Sequence, residues 1–207
     1  MRATRCFFVL TILMLISSCA SSYKVPDARN LSYISSTSSH GLKLFYKYDV
    51  LENKYAKKEL KTGIKVIGVK ITNNSNEPYT FGRNLMLYYS NGNEVQLVEP
   101  EMAFKSLKQG SAIYLLYLLA TPINLYTYKT DSNGFQRETS STPIGAVLGP
   151  GLTLSNVLVS SSANARFRSH LLGHNIVGKV IAPGETISGF IPIRSSSFDS
   201  LVLKPIK

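Results

Sequence analysis

The histidines of "HLLGH", His170 and His174, are the first residues whose types and spacing could do chemistry. On a helix, an i, i+4 pair turns both imidazoles to one face, where they can share a zinc ion. The zinc-protease pattern also needs a glutamate directly after the first histidine, and Leu171 stands there. Gly173 signals a helix end, and the nearest downstream carboxylate is Glu185, so no metal site is expected. Glu99 and Glu101 flank Pro100 at a helix start, where negative charge suits the helix dipole better than acid–base work. "GHNIVGK" has phosphate-loop spacing, but Val180 stands where a hydroxyl would hold magnesium. "GPGLTLSN" lacks the third glycine of a dinucleotide fingerprint, and no G-x-S-x-G elbow occurs. The expectation is a non-enzymatic chain with no cofactor.

One reactive group remains, the thiol of Cys19. Arg2 and Arg5 precede an apolar run from Phe7 to Ile16, ten residues long and too short for a bilayer, which takes about 20. The run ends in Ile16-Ser17-Ser18-Cys19. This resembles the lipobox of bacterial lipoproteins: a branched apolar residue, two small residues, then cysteine. The resemblance implies cleavage after Ser18, with Ile16, Ser17 and Ser18 as the cleavage flank and Cys19 as the lipid attachment site. Burying acyl chains yields about 0.8 kcal/mol per CH₂, so two or three chains hold a protein firmly. Cys6, the other cysteine, lies in the leader, so Cys19 would keep no intramolecular disulfide partner after cleavage. Ala20 follows the cysteine; under the enteric sorting rule an aspartate there would mark inner-membrane retention, so the resemblance points to the outer membrane.

From Cys19 onward the chain carries 21 basic and 12 acidic residues. The basic ones are scattered, with Lys57-Lys58 the longest run, so no nucleic-acid partner is expected. An anionic membrane surface fits such a balance, and so does an ordinary solvated surface.

These groups need elements to position them. Residues 1–18 read as the lipoprotein signal and 19–41 as a lipidated, Ser-rich spacer. Residues 42–207 read as one domain. "LKLFYKYDV" alternates with a period of two, and "IKVIGVKIT" is apolar on both sides, like a central strand. Gly68 inside it marks a bulge or a close approach. "NLMLYYSNGNEVQLV" reads as a hairpin on a type I′ turn at Asn91-Gly92. "APGETISGFIPI" and "SLVLKPI" add late strands around a Pro183-Gly184 turn. About seven short strands suit a mainly β, immunoglobulin-like β-sandwich. "VKITNNSNEPYTF" and "IAPGETISGFIPI" resemble stretches of immunoglobulin-like domains in secreted bacterial proteins, and the whole plan resembles Bacteroidota-type cell-envelope lipoproteins.

Residues 99–174 interrupt that plan. After a first helical turn at Pro100, Gln109–Tyr128 carries no charge for 20 residues and Thr139–Ala165 none for 27. Pro122 breaks the first arm and Gly149-Pro150-Gly151 the second. The pattern predicts an inserted apolar helical hairpin, with three occupants open for its arms at 110–128 and 143–165. They could pack on the domain, enter the leaflet that holds the lipid, or meet an envelope protein partner. The function expected is a lipid-anchored envelope component that binds or scaffolds; the alternative is a membrane-integrated subunit of a transport or assembly complex. A hydrolase ranks last.

Overall fold

The computed structural model describes residues 19–206; the leader, with Ile16, Ser17 and Ser18, and Lys207 lie outside the described residues. The chain divides into two units, residues 23–109 with 164–206 and residues 19–22 with 110–163.

In the first unit, β3 (Ile64–Asn73) is buried on both faces, as its two-sided β-branched sequence requires. It is central in an antiparallel sheet of order β1-β2-β3-β9, with β1 at Ser35–Ser39, β2 at Leu42–Lys47 and β9 at Thr186–Arg194. Ile67, Val69 and Ile71 of β3 and Leu42, Leu44 and Tyr46 of β2 form one core cluster with Leu85, Leu87, Leu201 and Leu203. The last four belong to a second sheet, β5 (Leu85–Tyr89) paired with β10 (Leu201–Pro205). Each fully buried aliphatic contributes about 1.5–3 kcal/mol over an exposed one, so this sheet-on-sheet seam is the main stabilising element. A two-residue pair, β4 (Tyr79–Thr80) with β8 (Val180–Ile181), flanks it. Registers across β3 run unbroken, so Gly68 marks a close approach and not a bulge: a Cβ there would collide with Leu31 and lie 3.3 Å from Val50.

Two helices support the other side of this sheet. α1 (Asn53–Thr62) sits against β3, and α2 (Pro100–Leu107) against β3 and β9. Glu99 caps α2 by accepting the Met102 N–H at 3.0 Å. α1 was not legible: among charged residues it buries only Tyr55 and Glu59, leaving no apolar period.

The second unit holds a 3₁₀ segment (Ser111–Ala120), the antiparallel pair β6 (Leu125–Thr130) and β7 (Gln136–Thr142), and most of α3 (Ile144–Gly173).

Four expectations change. The described residues hold ten strands in four antiparallel sheets with three α-helices, a mixed arrangement where about seven strands and a mainly β chain were expected. Part of the 19–41 spacer is structured: β1 pairs with β2, and Tyr23 and Ala28 are buried. A strand edge recruits backbone, so the serines of β1 need no apolar side chain to join the sheet. At Asn91-Gly92 only the glycine takes positive φ, +92°, and the Gly92 N–H donates to the Tyr89 carbonyl. That is a type I turn with a left-handed glycine after it; the hairpin forms, with Tyr89 N–H donating to the Asn93 carbonyl and Val95 N–H to that of Leu87, but it is short, and the longer partner of β5 is β10. The inserted helical hairpin is a 3₁₀ segment, a β-hairpin and one long helix that runs through Gly149-Pro150-Gly151. Pro150 offers no N–H to the Ala146 carbonyl, but Gly145 and Gly149 pack that stretch of α3 directly on residues 117–123.

Candidate functional site

Cys19 is exposed. The backbone N–H of its neighbour Ala20 donates to Asn156 Oδ1 at 2.6 Å, which fastens the start of the described chain to α3. The rest of that unit is built with its chemistry reversed. Gly145, Gly149, Thr153, Asn156, Ser160 and Ala163 follow one another at i+3 or i+4, and all are buried. Thr153 Oγ1 donates to the Tyr114 carbonyl at 3.2 Å or the Gly149 carbonyl at 2.9 Å, and Ser160 Oγ to Ser111 Oγ at 2.9 Å. Tyr114 and Tyr117 of the 3₁₀ segment complete the interior. Within 110–163 no Leu, Ile or Val is buried.

The two histidines come together in the first unit, in a core of rings. Their centroids are 4.7 Å apart; His170 is buried and His174 is exposed. His170 Nδ1 lies 2.8 Å from the Tyr23 hydroxyl, and its ring packs 4.7 Å from Phe190. Among the described residues, its buried Nε2 finds no hydrogen-bond partner. Burial, aided by the charge of His174, lowers the His170 pKa to about 4, so it stays neutral near pH 7. Tyr23 also packs against Tyr55 and Phe167, each at 5.1 Å, and burial pushes its phenol up. Among the described residues, no group of three or more His, Cys, Asp or Glu is placed to hold a metal. Glu101 pairs with Arg168 at 2.9 Å, and Glu99 is a helix cap, so the two carboxylates do different structural jobs.

Sequence reasoning missed two features of this unit. Glu59 is 4% exposed and accepts the Val66 N–H at 2.6 Å. Burial raises its pKa to about 7; Asp49 adds to the rise, while the Val66 amide and Lys65 oppose it. The second is a pair of adjoining depressions of about 420 and 400 Å³ that share Arg29, Lys179 and Ser188. Lys70 and Thr186 line the first, His174 and Asp27 the second. Among the described residues, none of the three cations makes a salt bridge. Asp27 is engaged by the Arg29 N–H and the Asn30 side chain, which hold its carboxyl below the usual range. Nothing in the sequence links residues 29, 70 and 179; only the β3–β9 register and the turn before β8 bring them together.

No protein-family model, curated protein or solved structure matches this chain.

Proposed function

We propose that this chain is a lipid-anchored cell-envelope protein with a non-catalytic binding or scaffolding role. The observation that carries the reading is the exposed Cys19, directly after Ile16-Ser17-Ser18 in the sequence. A thiol in that setting is a substrate for acylation, and acyl chains on it supply the anchor. Ala20 favours the outer membrane over the inner. The binding role falls to the unit of residues 23–109 and 164–206. Its facing sheets, β2 and β3 against β5 and β10, support kinship with immunoglobulin-like sandwiches. The Arg29, Lys70 and Lys179 depressions suit an anionic group such as a phosphate or a carboxylate, held by charge-assisted hydrogen bonds and the Ser188 and Thr186 hydroxyls.

Intact-mass analysis of wild type beside Cys19→Ala, with radiolabelled palmitate fed to the cells, tests the anchor. Diacylglyceryl mass and label on wild type alone support it. A wild-type Cys19 thiol that remains unmodified and titrates fully with maleimide overturns it.

A further inference from the structure

We propose that residues 110–163 form a membrane-entering module whose aliphatic faces lie in the hydrocarbon layer of a lipid bilayer. The inference does not rest on acylation of Cys19; it stands on how this unit distributes its own side chains.

A two-element unit that folds in water hides its aliphatics and shows its polar groups. This one does the opposite. Of 23 exposed large hydrophobics among the described residues, 15 lie between Ile113 and Val159. On the 3₁₀ segment they are Ile113, Leu115, Leu116, Leu118 and Leu119, the last 76% exposed. On α3 they are Val147, Leu148, Leu154, Leu158 and Val159, with Val147 75% exposed. The interior is glycine, alanine, serine, threonine, asparagine and two tyrosines. Small residues let helical segments approach closely, and inward hydroxyls and amides glue them where no water competes. Thr153, Ser160 and Asn156 do that here, on Tyr114, Ser111 and Ala20.

Three further features name lipid, and not a protein, as the occupant. First, the apolar band on α3 from Val147 to Val159 is about 18 Å long at 1.5 Å per residue. That falls well short of a hydrocarbon core about 30 Å thick, so a band with polar ends on both sides suits entry along one leaflet and not a span. Secondly, the backbone of the intervening turn is satisfied within the unit: the Thr121 N–H donates to Leu118, Ile123 to Ala120 and Gly145 to Ile123, as hydrocarbon demands. Thirdly, charge is confined to the ends of the apolar arms. Lys108 precedes the first, Lys129, Asp131, Arg137 and Glu138 stand in or between β6 and β7, and Arg166 follows the second with Arg168, which pairs with Glu101. Anionic headgroups complement Lys108 and Arg166, while the hairpin charges balance one another; Tyr126, Tyr128 and Phe135, all exposed on the hairpin, are side chains suited to an interface.

The test uses the full chain as Cys19→Ala, exported on an ordinary cleavable signal, so that no lipid anchor contributes. Single cysteines replace Leu119, Leu158 and, as a control on α1, Lys57, each carrying an environment-sensitive fluorophore. The protein is reconstituted into phosphatidylethanolamine–phosphatidylglycerol vesicles, with and without brominated acyl chains. Emission at Leu119 and Leu158 should rise severalfold on reconstitution and be quenched by the brominated chains, while Lys57 stays unchanged. Leu158→Arg on the same background should lower the vesicle-bound fraction by about a hundredfold. Probes at 119 and 158 that still report water in vesicles overturn the proposal. So does protein held by cell membranes that fails to enter pure lipid, which would assign the face to a protein partner. Acylation of wild-type Cys19, measured separately by mass, fails or holds without bearing on these readings.

Discussion

Replacing Glu59 by glutamine should change how stability depends on pH more than it changes the fold. Glu59 is 4% exposed, and its carboxyl keeps its proton up to about pH 7, against an ordinary 4.5. Below pH 4.5 both folded and unfolded chains hold that proton. Between 4.5 and 7 the unfolded chain releases it and the folded chain does not, so stability falls as pH rises. Above pH 7 both are ionised and the loss is complete, about 3 kcal/mol from the difference between the two values. An amide is the neutral isostere of the protonated acid and can still accept the Val66 N–H. Glu59→Gln should therefore match wild type at pH 4 and exceed it by up to about 3 kcal/mol at pH 8. The assay is urea unfolding followed by circular dichroism in mild detergent at several pH values, both proteins carrying Cys19→Ala. Parallel pH curves for the two would refute the reasoning, as would an equal loss for the variant at every pH.

His170 works in the opposite sense: its folded pKa of about 4 lies below the ordinary 6.5, so its contribution is lost as pH falls through that window. His170→Phe should remove this acid sensitivity, and the same urea series at pH 4 to 6.5 will then show the Glu59 slope alone, with stability falling as pH rises. Phe167→Ala empties the ring cluster among Tyr23, Tyr55 and Phe104 and should cost 3–5 kcal/mol or thereabouts, read as a lower urea midpoint. Gly149→Leu puts a side chain where even a Cβ would meet Thr121 Oγ1 at 2.7 Å; limited proteolysis should then cut within 110–163 faster than in wild type. Arg29→Glu with Lys179→Glu should weaken binding of inorganic phosphate at least about tenfold by titration calorimetry, because charge-assisted bonds are lost and like charge replaces them.

How much of this could be read from the residues differs by element. β2, β3 and β9 were legible because their side chains alternate or run apolar throughout, and those patterns have direct meaning on a pleated sheet. α2 was legible from Pro100 and its acidic start. α1 was hidden because a helix that buries Tyr55 and a protonated Glu59 shows no apolar stripe. β1 was hidden because it joins through backbone alone. The two uncharged arms stood out at once, but their conformations did not. Proline and glycine predict breaks on average, and here Gly145 and Gly149 instead create the close contacts that let α3 continue. Cys19 could be singled out from sequence alone because Ile16-Ser17-Ser18-Cys19 resembles a lipobox, a signal that processing enzymes read as linear sequence. The Arg29, Lys70 and Lys179 grouping exists only once the strands have paired.

The two edges of the β1-β2-β3-β9 sheet have a consequence under the proposed anchoring at Cys19. Copies tethered to one membrane share a plane and meet far more often than the same number of molecules in solution. An open sheet edge is then a standing invitation to strand exchange. Here the sheet ends on one side in Ser35–Ser39, an edge of only five residues that offers few pairing groups, with the Thr37 hydroxyl donating to the Leu201 carbonyl of β10. On the other side, β9 is covered by residues 96–98: Arg194 N–H donates to the Gln96 carbonyl, and Val98 N–H to that of Pro192. Pro192 itself has no N–H to offer. If Cys19 carries the proposed anchor, neighbours could be packed densely while each keeps its sheet to itself.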